Sequence, residues 1–173
     1  MIDSFDELQL DIGRLLSEMS SVILATCYDD GTPLASYTPY FFDQERSGLW
    51  ILVSELAGHA KNLRQSAKCS ALVLRDEKES QQIYLRERCQ YEMHVRGCDR
   101  SEPDWRRGCD GLIERHGHLI DTLEGLADFQ LFFLAPVSGR YIVGFGRAFE
   151  LKPGSLNQID HHLQGPTGPQ KES

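Results

Sequence analysis

Two apolar runs enclose a short helix in the first half of the chain. Residues 49–53 are an unbroken apolar run, the pattern of a strand that is buried on both faces. Ser54 ends this run and can cap the helix that follows it, and a second apolar run over residues 71–74 returns the chain to the sheet. We therefore take residues 49–53 as the central strand of the fold.

The exposed start of the intervening helix is the first candidate for a binding site. His59, Lys61 and Arg64 lie close to it, although the helix dipole disfavours cations at this end. A bound anion would resolve the conflict, because free backbone N–H groups and nearby cations suit phosphate or carboxylate. A solvated basic helix face explains the same residues equally well. The spacing leaves both interpretations open.

The first half of the chain predicts a helix followed by antiparallel strands. Ser4 and Glu7 match a capping box, and apolar residues at helical spacing predict an amphipathic helix over residues 5–19. Strands are predicted over residues 21–28 and 33–42, joined by a strong turn signal and leading to the central strand. This order indicates mostly antiparallel sheet and not a doubly wound βαβ pattern.

The middle of the chain predicts one long strand and one helix. From Arg86 onward, apolar and polar residues alternate, which is typical of a strand with one polar face. That face carries Arg88 and His94 as well as Arg86. Ser101 is predicted to cap the helix that follows, and Gly117 to end it.

The last third predicts two strands and a short helical segment. The strands cover residues 130–135 and 141–151, and the second contains the glycines of 144–146, which indicate a bend or a closely approaching ligand. Residues 155–163 are predicted to form one or two helical turns. Residues 164–173 are rich in Gly, Pro and polar residues and are predicted to be a mobile tail.

Composition excludes several classes of function. The chain has 173 residues and a net charge of −8, so attraction to nucleic acid or to an anionic membrane is not expected. The acidic residues after Met1 do not form a secretory leader, and no apolar stretch is long enough to span a bilayer. We expect a cytoplasmic protein with a single domain over residues 1–163.

The cysteines indicate reduced thiols. The chain has five cysteines, an odd number, and no Cys-x-x-Cys pair. A zinc site can be drawn from histidines and cysteines in the second half, but their spacing matches no standard zinc module. Those candidates are His94, Cys98, Cys109, His116 and His118. Buried thiols are the preferred interpretation.

An aromatic cluster indicates a partner surface. Tyr37, Tyr40, Phe41 and Phe42 fall within six residues of one predicted strand. This is more aromatic surface than one face of a strand can hide, so the sequence predicts a homodimer.

Four segments in order resemble a known superfamily. They read LATCYDDGTPLASYTPYFF, LWILVSELAGHAKNLRQSAKCSALVL, RERCQYE and LADFQLFFLAPVSGRYIVGFGRAFEL. The chain resembles the pyridoxamine-phosphate-oxidase-like, FMN-binding split β-barrel superfamily and, within it, the haem-degrading HugZ/HutZ branch. The resemblance implies an α+β, mainly β fold, an antiparallel split β-barrel with flanking helices, which is dimeric and holds its ligand between the two barrels.

The resemblance also implies site residues. In flavin-binding members, positions matching Ser54, His59 and Lys61 hold the cofactor phosphate, although this chain lacks the paired Arg-Lys of strong flavin binders. In haem-degrading members, the same helix supplies a histidine matching His59. Asp128 would hydrogen-bond the proximal histidine, and Arg88 would face the haem edge or propionates. The predicted cofactor-binding set also includes Asn62 and Arg86.

The chain departs from the branch at the iron ligand. An ungapped alignment from Asp128 puts Pro166 where the branch has its iron-ligating histidine. His161 or His162 can replace it as the metal ligand if the loop is shifted, with His162 slightly favoured because it is nearer Pro166. A solvated pair of tail histidines is the alternative.

Three functions follow as hypotheses. The first is a haem-binding protein that degrades haem oxidatively for iron utilisation, with haem held at the dimer interface. The second is an FMN-dependent oxidoreductase on the same barrel. The third is a haem or flavin carrier without catalysis, since one scaffold hosts many functions.

Overall fold

An antiparallel sheet of nine strands with four flanking helices forms the part of the chain that the structure describes, residues 4–163 of a computed structural model. The helices are α1 (Phe5–Glu18), α2 (Gly58–Gln65), α3 (Pro103–His116) and α4 (Leu119–Glu124). The strands are β1 (Ser21–Cys27), β2 (Pro33–Pro39), β3 (Phe41–Asp43), β4 (Gly48–Ser54), β5 (Lys68–Leu74), β6 (Arg88–Cys98), β7 (Phe129–Gly144), β8 (Arg147–Leu151) and β9 (Ile159–His162).

The long strand β7 joins the two arms of the sheet. The main strand order is β2-β1-β5-β6-β7-β4-β3, while β8 pairs with the far end of β7 and β9 pairs with β8. β7 therefore pairs with β6 over most of its length, with β4 at its start and with β8 at its end. β2 and β4 also come into contact, which closes one side of the curved sheet. The predicted antiparallel split barrel with flanking helices is confirmed.

β4 is the central strand that the sequence predicted. Every residue in it except Ser54 is buried. Leu49 and Ile51 join the main core, which includes the apolar face of α1, while Trp50 and Leu52 join a second core beneath α3. Burial of each such side chain contributes about 2 kcal/mol before the cost of ordering it.

The predicted capping box of α1 is confirmed, whereas the predicted cap of α3 is wrong. The Ser4 side chain accepts from the backbone of Glu7, and the Glu7 side chain accepts from the backbone of Ser4. At α3 the hydroxyl of Ser101 instead donates to Asp99, 2.6 Å away, within the preceding turn. The helix consequently begins one residue later, with Glu102 as its N-cap.

A buried carboxylate connects α3 to the sheet. Asp43 is 1% exposed and accepts from the indole Nε1 of Trp50, 3.0 Å away, and from Nη2 of Arg107, 2.7 Å away. Burial alone would raise the pKa of Asp43, but hydrogen bonds from Arg107 and Trp50 outweigh it and lower the pKa. α3 approaches closely here, since a Cβ at Gly111 would lie 2.2 Å from the ring of Phe41.

Two predictions in the last third of the chain are wrong. The two strands predicted over 130–151 divide at a different place, because residues 136–140 continue β7 instead of forming a loop. Pro136 is accommodated where the register with β6 shifts, and Gly146 forms a turn between β7 and β8 with φ of 66°. The predicted helical turns over 155–163 are also wrong, because residues 159–162 form β9 along the free edge of β8.

The aromatic cluster does not form an exposed surface. Tyr40 is fully buried and donates its hydroxyl to the carbonyl of Leu16, 2.6 Å away. Phe41 and Phe42 are half-buried against the two cores, and only Tyr37 is exposed, at 69%. The prediction that this cluster forms a partner surface is therefore wrong for Tyr40, Phe41 and Phe42, which pack within the fold.

Residues 164–173, the predicted tail with Pro166, lie outside the described residues. The single domain over residues 1–163 stays a prediction. Across residues 4–163, none of the helices combines the length and the apolar character needed to cross a bilayer.

Candidate functional site

The end of β4 is joined to the start of β7 by a carboxylate. Ser54 donates its hydroxyl to Oδ2 of Asp128, 2.8 Å away, and the backbone N–H of Glu55 donates to the carbonyl of Asp128, also 2.8 Å away. Ser54 also accepts from the backbone N–H of Leu56 at 3.2 Å. The hydroxyl is thus used in this junction, and α2 starts later, with Ala57 as an N-cap that makes no side-chain hydrogen bond. The predicted cap at Ser54 is wrong.

Asp128 retains one carboxylate oxygen for a ligand. The side chain is half-buried, and its bond to Ser54 occupies only Oδ2. A carboxylate anchored through one oxygen can accept a proton donor, such as an imidazole N–H, through the other. The hydrogen bond from Asp128 to a proximal histidine, which the resemblance implies, stays a prediction.

Two of the predicted cofactor-binding residues lie under α2 and not on its surface. His59 is 8% exposed and Asn62 is 1% exposed, contrary to the exposed helix start that the sequence indicated. Asn62 donates to the hydroxyl of Thr26, 2.9 Å away. Nε2 of His59 and Oδ1 of Asn62 are buried without a hydrogen-bond partner in the described structure. Burial also lowers the pKa of His59, so its neutral form is favoured.

The basic cluster of α2 is divided among separate partners. Lys61 is exposed, with Nζ 3.8 Å from a carboxylate oxygen of Asp29. Arg64 donates to Glu55, 2.8 Å away. Because His59 is buried and Arg64 is paired with an acid, these three residues do not form a compact anion site.

A row of side chains crosses the outer face of the sheet. Cross-strand register places each member opposite the next, so all of them point to the same side. From β2 to β9 the row is Tyr37, Ile23, Leu72, Gln90, Arg140, Glu150 and His161. The middle of this row lines an open groove of about 440 Å³, which is apolar toward β1 and polar toward β8.

Arg88 lies on the same face, one row away. It is two residues before Gln90 in β6 and pairs with Ile142 of β7. Its Nη1 donates to the carbonyl of Arg86, 2.8 Å away, and Arg86 in turn donates Nε to the carbonyl of Arg75, 2.6 Å away. Arg86 precedes the strand, so its predicted place on the polar face of β6 is wrong.

The two adjacent histidines face opposite sides of β9. The ring of His162 lies 4.9 Å from the ring of Phe149, and its Nε2 lies 2.8 Å from the carbonyl of Gly146. Because a carbonyl only accepts, Nε2 of His162 carries a proton. His161 is opposite Glu150 on the outer face, with Nδ1 2.9 Å from a carboxylate oxygen of Asp160. That contact leaves Nε2 of His161 as the free ring nitrogen.

The predicted site residues therefore form two groups at opposite ends of β7. Ser54 and Asp128 lie at its start, whereas Arg88 and His161 lie near its end. Arg140 is not among the predicted site residues, because the prediction of a loop over residues 136–140 hides its place in β7. The alternation of polar and non-polar residues over 138–141 is the signal that could have found it.

The cysteines and the potential metal-ligating side chains do not form another candidate site in the described residues. All five cysteines are free thiols, and only Cys27 is exposed. Burial raises the pKa of Cys69 and of Cys89 to about 12. Within residues 4–163, no cluster of three or more His, Cys, Asp or Glu side chains is arranged to hold a metal ion.

Comparison with known proteins identifies the family. No family model matches the chain. A curated protein, Heme oxygenase HutZ of Vibrio cholerae, is 32% identical over 158 residues, which cover 91% of this chain and 89% of HutZ. The chain belongs to the HutZ family. The solved structure of HutZ, described as a heme storage protein, superposes with a TM-score of 0.70 over 75% of this chain and 89% of the HutZ chain at 32% identity.

More distant structures agree with HutZ in fold. ChuZ of Campylobacter jejuni has a TM-score of 0.83 and 24% identity, covering 99% of this chain and 69% of its own. A protein of the pyridoxinephosphate oxidase family from Clostridium acetobutylicum has a TM-score of 0.64 and 13% identity, covering 87% of this chain and 96% of its own. These two likenesses concern the fold alone.

Proposed function

We propose that the protein binds haem and degrades it oxidatively, which releases iron for use. The observation that carries this proposal is its 32% identity, over nearly the whole chain, to a protein named Heme oxygenase HutZ. We infer a cytoplasmic location, where the exposed thiol of Cys27 would stay reduced. The net charge of −8 supports a small-molecule ligand and not nucleic acid or a membrane.

The groove on the outer face has the chemistry that haem requires. Ile23 and Leu72 offer apolar surface for the macrocycle, while Arg88 and Arg140 offer guanidinium groups for the propionates. Arg140 is exposed, and its contact with Glu150 is long, at 3.4 Å, so it is available to a stronger acceptor. Haem itself supplies the oxygen chemistry, and these residues would bind and orient it.

We propose His161 as the iron ligand, in place of His162, which the position of Pro166 slightly favoured. A carboxylate bound to Nδ1 fixes the tautomer of an imidazole and leaves Nε2 for a metal, and Asp160 makes that contact with His161. His161 also shares the outer face with Glu150 and Arg140, which line the groove. His162 instead points to the side of Phe149 and has Nε2 engaged with a carbonyl.

A homodimer would unite the two groups of site residues. Asp128 and His161 lie near opposite ends of β7, too far apart to meet within one subunit. If two copies pair through the outer face of the sheet, Asp128 of the partner subunit would replace the exposed Asp160 as the acceptor of the Nδ1 proton of His161 and would then orient the iron ligand. Tyr37, Ile23 and Leu72 form the apolar part of that face, and they replace the aromatic cluster as the reason to expect a dimer.

The proposal is tested by haem titration of three variants. We expect His161→Ala to abolish the wild-type Soret band, His162→Ala to retain it, and Asp128→Asn to weaken haem binding about tenfold. Ascorbate-driven loss of the Soret band reports degradation. If both histidine variants bind haem as the wild type does, the ligand assignment is wrong. If the wild-type protein binds no haem, the proposed function is wrong.

Two alternatives are separated by the same measurements. The description of HutZ as a heme storage protein favours a carrier, which would bind haem and leave it intact with ascorbate. An FMN-dependent oxidoreductase is less favoured, because a phosphate at the start of α2 would meet the carboxylates of Glu55 and Asp128, and the nearby Arg64 is already paired with Glu55. Titration with FMN that leaves the flavin spectrum unchanged would exclude it.

A further inference from the structure

Arg100 donates hydrogen bonds to the backbone of the turn that carries Asp128. Its Nη1 donates to the carbonyl of Glu124, and its Nη2 donates to the carbonyls of Leu126 and Phe129, 2.6 and 3.2 Å away. The guanidinium also stacks 4.5 Å from the centroid of the Trp105 ring. One side chain thus supplies donors to three carbonyls on either side of Asp128.

We propose that Arg100 is the positioning residue for Asp128. This proposal rests on the proposed function, in which the Asp128 carboxylate orients the iron ligand. Arg100 does not reach the carboxylate itself, since its described bonds are to backbone carbonyls. Its effect on haem would therefore act through the position of the turn.

The end of α4 explains why the turn needs a donor. The last carbonyls of a helix have no partner within the helix, and α4 ends at Glu124, immediately before the turn. An arginine can satisfy several of them together, because its planar guanidinium offers five N–H donors in a fixed geometry. Stacking on Trp105, which is buried, restricts the guanidinium to this position.

Asp128 is thereby held from both sides. On one side, Ser54 and the backbone of Glu55 at the end of β4 bind its carboxylate and carbonyl. On the other side, Arg100 binds the carbonyls of Leu126 and Phe129 that flank it. Removing Arg100 leaves the β4 contacts and the backbone hydrogen bonds of the turn itself, so the turn should open more often while the sheet stays intact.

A neighbouring arginine supplies a matched control. Arg106 also contacts α4, but it donates to the carboxylate of Glu124, 2.9 Å away, and to Asp110 within its own helix. It makes no described bond to the carbonyls of the turn. Arg106→Gln therefore removes a similar charge from the same region without freeing Asp128.

The first measurement uses amide hydrogen exchange in haem-free protein. The amides of Leu126, Phe129 and Glu55 report the turn, because they donate to Leu123, Leu126 and Asp128, respectively. We expect Arg100→Gln to accelerate their exchange about tenfold, the scale expected when hydrogen bonds to a charged group are lost. Arg106→Gln should leave the exchange rates of these amides unchanged. Arg100→Lys should give an intermediate rate, because lysine lacks the planar guanidinium that binds several carbonyls together.

The second measurement is the haem spectrum in two backgrounds. In the wild-type background, Arg100→Gln should shift the Soret band in the same direction as Asp128→Asn and weaken haem binding about threefold, part of the loss expected for the carboxylate itself. In the Asp128→Asn background, Arg100→Gln should cause no further change in the Soret band or in the haem affinity. A purely structural role would lower the thermal midpoint without this dependence on Asp128.

Each outcome decides the proposal. If the amides of the turn exchange at the wild-type rate in Arg100→Gln, the proposal is wrong, whether or not the haem spectrum changes. Faster exchange with an unchanged spectrum also overturns it when Asp128→Asn does change the spectrum. If Arg100→Gln and Asp128→Asn act additively, Arg100 does not work through Asp128. If the wild type binds no haem, the proposed function fails, and the positioning role toward haem fails with it.

Discussion

The two helical flanks of β4 satisfy their buried polar groups to different extents. On the α3 flank, Asp43 accepts from the Trp50 indole, from two nitrogens of Arg107 and from the backbone of Arg46. On the α2 flank, Ser36, His59 and Asn62 contribute three of the four buried side-chain atoms without a partner in the described residues. The fourth belongs to Glu124, whose other oxygen binds Arg106.

The difference indicates that the α3 flank mainly stabilises the fold, whereas the α2 flank lies beside the candidate site. A fully satisfied buried network stabilises one arrangement of its elements, and removing one member is costly. Buried polar atoms without partners are expected where function constrains the residues more than stability does. The α2 flank, which holds three of these unsatisfied atoms, adjoins Ser54 at the end of β4, whereas the satisfied contacts of Asp43 hold α3 in place.

The largest expected effect is the loss of the buried carboxylate. Asp43→Ala should lower the free energy of unfolding by about 3 kcal/mol, because Arg107 and Trp50 lose a shared acceptor inside the protein. Urea denaturation measures it. Asp110→Ala is the control, since its exposed pair with Arg106 contributes at most about 1 kcal/mol. Equal effects of the two variants would contradict the comparison.

A smaller effect is expected where α3 meets β3. Gly111→Ala should destabilise the protein by about 1 to 3 kcal/mol, because the added methyl overlaps the ring of Phe41. The matched change is Gly13→Ala in α1, where a Cβ meets nothing within 4 Å. That variant should be stabilised by about 0.5 to 1 kcal/mol through helix propensity. Thermal unfolding of the two variants should shift in opposite directions.

The two flanks should also respond to different ranges of pH. Burial lowers the pKa of His59 below 6.5, so the unfolded chain binds this proton more readily and stability falls as pH decreases from 6.5 toward the folded pKa. The lowered pKa of Asp43 costs stability only as pH falls below 3.8. We expect His59→Gln to flatten the dependence of the unfolding free energy between pH 7.5 and 5. An unchanged slope would exclude His59 as its source.

The smallest effect is expected at Ser36. Its buried hydroxyl oxygen has no described partner, so Ser36→Ala removes an uncompensated polar atom. The unfolding free energy should change by less than about 0.5 kcal/mol, or rise. Thr26→Val is the contrasting variant, because it removes the partner of the buried Asn62 amide and should destabilise by about 1 kcal/mol. Loss of stability in Ser36→Ala would reveal a partner for this hydroxyl.

Local patterns predicted the elements better than they predicted the sheet edges. β4 and α1 carry their own signals, an apolar run and a capping box, and both are confirmed. β9 has no such signal, because Ile159 and its neighbours become a strand only through pairing with β8. The continuity of β7 through Pro136 likewise depends on a register shift opposite β6.

For the candidate site, the sequence predicted individual residues better than it predicted their contacts and orientations. Sequence could nominate Ser54 and Asp128, but their hydrogen bond joins positions 74 residues apart. The burial of His59 depends on how α2 packs against β1 and β2, which helical periodicity alone does not specify. The contrast between His161 and His162 required the change from a helix to a strand, since strand neighbours face opposite sides.

The pairing of β4 has a consequence for synthesis on the ribosome. One edge of this apolar strand meets β3, its neighbour in the chain, but the other edge must wait for β7, whose Leu134 pairs with Leu49. Until then a nascent chain carries an unpaired hydrophobic edge, which is a template for association with other chains. Polypeptides released before β7 is made should therefore aggregate, and chaperones that cover apolar segments should engage the nascent protein in that interval.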